Sequence, residues 1–191
     1  VLGLGDIPDE PVRVRQELAG DGWAGVADLF DSMAAGWTAD HSGDVRVAPL
    51  RDALRRGGLD PGGCWLELGS GTGVGTVELV GTVSRLVAVD LSAGMLANAP
   101  AVVPRVRADA SVLPFPHAAF DVAVLVNMLL FPAELSRVLA PGGKVVWVNT
   151  LGDRTPIHLP PADVIAALPG EWHGVTARAG SGFWAVFDRA S

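Results

Sequence analysis

The sequence predicts a single α/β domain built on a mostly parallel seven-stranded sheet with helices on both faces. Short apolar runs alternate with helical stretches from about residue 64 onward, which is typical of βαβ units. The run Phe120–Val126 is almost continuously apolar, as expected of a central strand that is covered on both faces. Two β-like runs around the sequence Ala-Gly-Ser-Gly close the chain, and they predict a C-terminal antiparallel hairpin.

The part before the sheet is predicted to be an arm followed by two helices. Residues 1–22 are rich in glycine, proline and acidic side chains and are expected to be irregular. Apolar residues at helical spacing predict a helix over residues 23–37. A second helix is expected over Asp44–Arg56, where two glycines end it. Pro49 marks either a kink in this helix or its true start.

The predicted elements of the sheet region then follow in order. Strands are expected over residues 64–68, 86–90, 105–108, 120–126 and 143–149. Helices are expected over 72–83, 92–98, 132–140 and 161–168, and Ser92 is a suitable N-cap for the second of these. The hairpin strands are expected over 172–178 and 183–188, which places one antiparallel strand near an edge. The chain therefore divides into residues 1–60 and a core of residues 61–191, within one compact domain.

Composition argues against several partners. The chain carries 14 basic and 21 acidic residues, for a net charge of -7 at pH 7. Its arginines are scattered and Lys144 is its only lysine, whereas nucleic-acid binders present a basic patch. The longest apolar run, 122–130, is interrupted by Asn127 and is shorter than the roughly 18 residues of a membrane span. We therefore expect neither a nucleic-acid partner nor a membrane partner.

Two features of the sequence favour a cytoplasmic location. The first residues carry acidic side chains and lack the basic segment of a signal peptide. Cys64 is the single cysteine, which suits a reducing compartment, and its apolar strand predicts a small core residue.

A glycine-rich loop follows the first strand, where residues 66–73 have the sequence LELGSGTG. Glycines permit positive φ angles and let a ligand approach the backbone closely. The helix that follows begins with free N–H groups and the positive end of its dipole. Ligands of open α/β sheets bind at this edge, so the loop predicts a cofactor site.

Three kinds of ligand are compatible with a loop of this type. A P-loop requires a lysine, and none lies near the loop. A dinucleotide fingerprint requires a third glycine where this chain has Val74 or Thr76, depending on the register, so a dehydrogenase is not predicted. The pattern that remains is E-x-G-x-G-x-G, formed by Glu67, Gly69, Gly71 and Gly73. It suits S-adenosylmethionine, which has no phosphates.

Two carboxylates follow the next strands. Asp90 ends the second strand and can accept hydrogen bonds from both ribose hydroxyls, although an NAD site uses its acid in the same way. Asp109 follows the third strand and can accept a hydrogen bond from an adenine amino group. The backbone of Ala110 can donate to the adenine ring. These positions favour a ligand that contains adenosine.

The combined pattern resembles the class I S-adenosylmethionine-dependent methyltransferases, and in particular the small-molecule group that includes the ubiquinone/menaquinone C-methyltransferases. The matching segments are LELGSGTG at 66–73, VAVDLS with GML within 87–96, ADASVLPFP with FD within 108–121, and RVLAPGGK at 137–144. The resemblance covers about residues 62–150. It implies a Rossmann-like fold, S-adenosylmethionine as the cofactor, and in-line methyl transfer to a small molecule.

The resemblance also implies a role for each matching residue. The methionine end of the cofactor would be lined by Glu67, Gly69, Ser70, Gly71 and Gly73. Asp90 would bind the ribose, and Leu91 and Met95 would pack on adenine. Asp109 and Ala110 would contact the adenine edge, and Asn127 would lie near the methionine portion or the reacting methyl.

The regions outside the matching segments would complete the site. In relatives the N-terminal helices form part of a lid over the cofactor. The stretch 127–141 is shorter here than in relatives. One wall of the acceptor pocket would then come from the N-terminal segment or from a second subunit of a homo-oligomer.

Catalytic residues are less well defined by the sequence. His41 and His158 are candidate bases because histidine accepts protons near neutral pH. A surface position or a structural role in the lid is the alternative for His41, and His158 could instead contact the substrate. Asn127 is a third candidate. Trp37 is expected either in the core or over the sulfonium, and Asp31 on a solvated helix face. No pair of histidines has metal-site spacing, so no metal is expected.

Two other functions share this fold. A protein that binds S-adenosylmethionine or S-adenosylhomocysteine without catalysis is the main alternative, because the region after Asn127 is short. Aminopropyl transfer would need a strongly acidic acceptor cleft, and no acidic cluster follows the fourth strand. The acidic, apolar composition favours a small, partly apolar acceptor.

Overall fold

The computed structural model describes residues 23–41, 43–155 and 157–190, so the predicted arm at 1–22 lies outside the described residues. Two helices come first, α1 (Trp23–His41) and α2 (Asp44–Arg56). The central elements are β1 (Cys64–Leu68), α3 (Val74–Val80), β2 (Arg85–Asp90), α4 (Ala93–Asn98), β3 (Arg105–Arg107), β4 (Phe120–Val126), α5 (Pro132–Val138) and β5 (Leu139–Asn149). The last elements are a 3₁₀ turn (Gly152–Arg154), α6 (Pro161–Ala167), β6 (Trp172–Ala179) and β7 (Gly182–Arg189).

The strands form a seven-stranded sheet in the order β3-β2-β1-β4-β5-β7-β6. The five strands from β3 to β5 are parallel to their neighbours, whereas β7 runs antiparallel to both β5 and β6. The predicted mostly parallel sheet with a C-terminal hairpin is therefore confirmed. Strand order reverses between β1 and β4, so the loops that follow these two strands lie side by side at a topological switch point.

The core lies on both faces of the sheet because successive strand residues point to opposite sides. Trp65 and Val146 face one side, where they pack with Leu50 of α2 and Leu79 of α3. On the other face Trp147 packs with apolar residues that include Leu135 of α5 and Val164 of α6. Helices thus cover both faces, as predicted. No helix among the described residues combines the length and apolar character needed to cross a membrane.

Several element boundaries differ from the sequence prediction. Helix α3 begins only at Val74, because Gly73 has a left-handed φ of 84°, and it ends before Gly81. Strand β5 begins at Leu139 rather than at residue 143, since Leu139 pairs with Phe120 across an irregularity in the β4–β5 register. Pro49 lies inside α2 and does not mark its start.

The hairpin is fixed to α2 by a buried polar contact. The indole N–H of Trp184 donates to Oδ2 of Asp52 at 2.8 Å, and the guanidinium of Arg56 also donates to both oxygens of this carboxylate. Hydrogen bonds from Arg56 and then from Trp184 lower the pKa of Asp52 to about 2. The second N-terminal helix and the C-terminal strands therefore belong to one packed body.

Candidate cofactor site

The predicted cofactor residues lie together at the carboxyl edge of the parallel strands. Leu68 pairs with Val89 of β2 and with Leu125 of β4, so the residues that follow these strands are neighbours. The glycine loop therefore lies between Asp90 on one side and Asn127 on the other. This arrangement follows from strand register, because parallel strands end at the same edge of a sheet.

The glycine loop is tightly packed except at Gly71. Gly69 has a φ of 68°, and a Cβ there would lie 2.6 Å from Sδ of Met128. Gly73 has a φ of 84°, and a Cβ there would lie 2.6 Å from Cδ of Pro100. At Gly71, with a φ of 54°, the nearest atom to a Cβ would be Nε1 of Trp37 at 3.7 Å. At Gly71 the loop thus leaves room for a methyl-sized group beneath Trp37.

Asp90 links the glycine loop to α4. Its Oδ2 accepts the backbone N–H of Gly71 at 2.7 Å, and its Oδ1 accepts that of Ser92 at 2.9 Å. Burial raises the pKa of Asp90, while the hydrogen bonds from Ser92 and Gly71 act in the opposite direction. Each carboxylate oxygen can accept a second hydrogen bond, so both ribose hydroxyls could still be bound.

Glu67 is buried beneath the loop, with 2% of its surface exposed. The hydroxyl of Thr76 in α3 donates to its Oε2 at 2.6 Å. Burial raises the pKa of Glu67 to about 7, with the Thr76 hydrogen bond lowering it and the nearby charge of Asp90 raising it. Its carboxyl group therefore holds α3 against β1, and a contact with the methionine end stays a prediction.

The Ser70 hydroxyl supports a polar ligand at the loop. Its Oγ is buried and has no hydrogen-bond partner among the described residues. Buried polar groups are almost always hydrogen-bonded, so a polar atom of a bound molecule would satisfy this oxygen. Together with the space at Gly71 and the remaining lone pairs of Asp90, Ser70 makes the site suitable for S-adenosylmethionine.

The predicted adenine contacts follow β2 and β3. Asp109 is half-buried, and its Oδ1 accepts the backbone N–H of Ser111 at 2.7 Å, which shapes the turn. Ala110 and Met95 are buried, with 6% and 1% of their surface exposed, while Leu91 is half-buried. Their contacts with adenine remain predictions.

An ion pair on α5 supports the loop after β3. The guanidinium of Arg137 donates to the backbone carbonyls of Phe115 and Leu113 at 2.7 and 3.0 Å. Glu134 accepts from Arg137 and from the N–H of Leu113, and the hydrogen bond from Arg137 is the main cause of its lowered pKa. This support was not predicted from the sequence, although the i, i+3 spacing of Glu134 and Arg137 is visible there.

Asn127 holds the ends of β4 and β5 together. Its Nδ2 donates to the hydroxyl of Thr150 at 2.9 Å, and its Oδ1 accepts the Thr150 backbone N–H at 2.9 Å. Its own backbone N–H donates to Val148 at 2.9 Å, and its φ is 49°. The side-chain amide is therefore engaged with β5, and a role for Asn127 toward the cofactor or in catalysis stays a prediction.

Helix α1 lies over the glycine loop. Trp37 approaches Gly71 as described above, and the hydroxyl of Thr38 donates to that of Thr72 at 2.6 Å. His41 stacks on Trp37 with ring centroids 3.7 Å apart, and its Nδ1 is 3.0 Å from the Trp37 carbonyl oxygen. These contacts support a covering position for Trp37 and favour the structural alternative for His41.

Asp31 was expected on a solvated helix face, but in the structure its carboxylate is hydrogen-bonded to α4 and to the residue before it. Although exposed, it accepts hydrogen bonds from the hydroxyl of Ser92 and from the backbone N–H of Gly94, the latter at 2.8 Å. The hydrogen bond from Ser92 is the larger cause of the lowered pKa of Asp31, and the hydrogen bond from Gly94 lowers it further. Asp31 thus fixes α1 to the start of α4, where Ser92 also accepts from Met95 N–H as the predicted N-cap. The partners are some 60 residues apart, which no local pattern reveals.

A cleft beside the loop is distinct from the predicted cofactor surface. It has a volume of about 410 Å³ and lies between α1, α2 and α3. Of the predicted cofactor residues only Gly73 lines it. Within the described ranges, no group of three or more histidine, cysteine, aspartate or glutamate side chains is placed to hold a metal ion.

Known proteins resemble the chain in sequence. Residues 66–147 match the family model described as a methyltransferase domain. Demethylmenaquinone methyltransferase of Mycolicibacterium gilvum is 38% identical over 135 residues, which cover 63% of this chain and 58% of that protein. The Mycobacterium tuberculosis protein of the same name is 36% identical over 135 residues, which cover 63% of this chain and 56% of that protein. The chain thus spans less than two thirds of these relatives.

Solved structures resemble it in fold. A DhpI complex with S-adenosylhomocysteine superposes with a TM-score of 0.70 and 23% identity, covering 88% of this chain and 96% of that one. A methyltransferase from Thermotoga maritima, described as a possible histamine N-methyltransferase, has a TM-score of 0.65 and 16% identity, covering 86% and 99%. A second DhpI structure is a complex that contains S-adenosylmethionine. Residues 66–147 of this chain therefore match a methyltransferase domain, and the chain is similar in sequence to the demethylmenaquinone methyltransferases and in fold to proteins solved with S-adenosylhomocysteine or S-adenosylmethionine.

Proposed function

We propose that this protein transfers a methyl group from S-adenosylmethionine to a small, partly apolar molecule. The observation that carries the proposal is the position of Asp90, whose carboxylate joins the glycine loop at Gly71 to the start of α4 at Ser92. This carboxylate keeps lone pairs for a ribose beside a loop that leaves space at Gly71 and an unsatisfied hydroxyl at Ser70. Nothing in the described residues or in the similar proteins favours a binding protein without catalysis.

The order of the strands suggests how the cofactor is oriented. Asp109, Asp90 and the glycine loop follow β3, β2 and β1, which are adjacent in the sheet. Adenine, ribose and methionine would therefore bind in that order, with the reactive methyl toward β4. When bound, the cofactor supplies a methyl group on a sulfonium, which is already a good leaving group.

The residues of the chain would then act mainly by positioning and by excluding water. Asp90 would hold the ribose, and Trp37 on α1 would cover the loop. Alignment of two reactants in a dry site can lower a barrier by up to roughly 7–11 kcal/mol. The N-terminal helices and the core (1–60 and 61–191) would work as one compact domain, and α1 or a second subunit would complete the acceptor pocket. We place the protein in the cytoplasm.

Binding of the cofactor is the first test. We expect calorimetric titration to give micromolar affinity for S-adenosylmethionine and S-adenosylhomocysteine, and Asp90→Asn to weaken it at least about tenfold, or 1.4 kcal/mol. Asp60→Asn is the matched control, because Asp60 lies in the turn before β1, at the other edge of the sheet. Folded wild-type protein that binds neither ligand would contradict the proposal.

The acceptor is tested separately. Reduced demethylmenaquinone with a short side chain is the first candidate, because the relatives named for this substrate are up to 38% identical. We expect methylation of this or another small molecule by mass spectrometry. Methylation of RNA or protein, with none of the small molecules, would overturn the proposed acceptor class.

A further inference from the structure

His158 lies on the side of the site where an acceptor would approach. It follows β5, the strand next to β4 in the sheet, and the ends of these two strands are joined by the bonds between Asn127 and Thr150. Most of the predicted cofactor contacts follow β3, β2 and β1, and Asn127 after β4 is predicted near the reacting methyl, so a second reactant would approach over the ends of β4 and β5. His158 is half-buried there, and its ring meets the ring of Phe183 edge-on at 5.4 Å.

Asn149 fixes the orientation of the imidazole. This side chain is fully buried, with 0% of its surface exposed. Its Nδ2 donates to the Val148 carbonyl at 3.2 Å, and its Oδ1 accepts the Leu159 N–H at 3.4 Å. A carbonyl oxygen can only accept and a backbone N–H can only donate, so the amide can adopt one orientation only. Its Oδ1 also lies 3.1 Å from Nδ1 of His158.

This geometry determines which ring nitrogen carries the proton. Because Oδ1 of Asn149 is an acceptor, Nδ1 of His158 must be the donor in their hydrogen bond. In a neutral imidazole the other nitrogen, Nε2, then carries a lone pair. Nε2 of His158 has no hydrogen-bond partner among the residues that the structure describes. The ring is therefore arranged as a proton acceptor.

We propose that His158 is the general base of the methyl transfer, that Asn149 is its positioning residue, and that the acceptor carries a phenolic or enolic hydroxyl. The inference rests on the proposed function and deepens it. Three observations support it. Nδ1 of His158 donates to Asn149, Nε2 has no hydrogen-bond partner among the described residues, and His158 follows β5.

The proposed step conserves atoms and charge. Nε2 takes the hydroxyl proton while an electron pair of the acceptor forms the new bond to the methyl carbon. The pair of the broken carbon–sulfur bond stays on sulfur. If a ring carbon conjugated to the hydroxyl is the nucleophile, that carbon afterwards loses its hydrogen and the oxygen regains one, so one proton is released in either case. The half-buried imidazolium returns its proton to water.

The first test needs no acceptor. Nitrogen-15 NMR of the wild-type protein at a pH where His158 is neutral should show protonated Nδ1 and unprotonated Nε2. In Asn149→Leu the proton should move to Nε2, whereas Asn149→Asp, which keeps an oxygen acceptor, should retain it on Nδ1. An Nε2–H tautomer in the folded wild-type protein would overturn the proposal.

The second test measures turnover of the short-chain demethylmenaquinone in its hydroquinone form. His158→Gln should lower kcat by about 100- to 10,000-fold, the usual effect of a general base, and should leave KM and the affinity for S-adenosylmethionine nearly unchanged. His173→Gln, on the exposed edge strand β6, should behave like wild type. Wild-type turnover with an equally active His158→Gln variant overturns only this inference, whereas loss of cofactor binding by the wild-type protein overturns the proposed function.

Discussion

Glu67 shows how a single buried acid can make stability depend on pH. Its carboxyl group is enclosed beneath the glycine loop, where Thr76 is its one hydrogen-bond donor among the residues that the structure describes. Burial raises its pKa from 4.5 to about 7, so the folded protein holds this proton more tightly than the unfolded chain does. The stability that protonation contributes is complete below pH 4.5, is lost as the pH rises through the pKa of about 7, and does not change further above it.

We therefore predict that Glu67→Gln is more stable than wild type above neutral pH. The amide stays uncharged and can still accept the Thr76 hydroxyl, so its advantage should grow between pH 4.5 and about 7 and reach about 3 kcal/mol. Urea unfolding at a series of pH values measures this difference. Glu171→Gln, at an exposed position, is the control and should show little change. A constant difference at all pH values would contradict the prediction.

Site residues that belong to a local sequence pattern could be predicted, whereas contacts between residues distant in the sequence could not. The glycine loop and Asp90 could be predicted because strand end, turn and helix start are adjacent in the chain. The bond of Asn149 to His158 and that of Asn127 to Thr150 could not, because each depends on the path of a loop or on which strand ends meet. Asn149 was missed for this reason, although a buried asparagine at a strand end is a signal once the strand is recognised.

At the scale of elements, α1 lies over the glycine loop and the start of α4, where the cofactor is predicted to bind. It is held by Asp31 at α4 and by Thr38 at the loop, and Nε1 of Trp37 lies 3.7 Å from where a Cβ of Gly71 would be. Its existence as a helix could be predicted from apolar spacing, whereas its docking site could not, because the contacts are polar and distant in sequence.

We predict that Asp31→Ala weakens this docking. The variant loses the acceptor for the Ser92 hydroxyl and the Gly94 N–H, so α1 should open more often and S-adenosylmethionine should dissociate several-fold faster. Stopped-flow displacement measures the dissociation rate, and hydrogen exchange of α1 amides reports the opening. Asp28→Ala, at an exposed position of the same helix, should leave both unchanged. Equal exchange in the two variants would show that Asp31 does not hold α1.

At the scale of the whole molecule, the sheet shares its two faces between two apolar clusters. Each contains a fully buried tryptophan whose indole N–H donates to a loop carbonyl, from Trp65 to Gly62 at 3.0 Å and from Trp147 to Leu159 at 3.1 Å. The same strands supply both faces, so loss of packing on one face weakens the other.

The order of elements could be predicted because buried strands are continuous apolar runs. The irregular start of β5 could not, since Pro141-Gly142-Gly143 has the composition of a turn.

We predict one cooperative unfolding transition to which both clusters contribute. Trp65→Phe and Trp147→Phe should each lower the free energy of unfolding by about 2 kcal/mol, through a lost hydrogen bond and a smaller ring. Urea unfolding followed by far-UV circular dichroism and by fluorescence should give coincident curves. Val175→Ala, 53% exposed on the edge strand, should change the free energy by less than about 0.5 kcal/mol. Separate transitions for the two probes would contradict the prediction.

The pairing of β5 with β7 also places the only lysine of the chain. Lys144 lies opposite Asp188 and forms an ion pair with it. It precedes Asn149 by five positions, or about 16 Å along the strand, and so lies away from the edge that carries the predicted cofactor residues. Acylation of this side chain would therefore attach a label or a solid support in an orientation that leaves that edge facing solution.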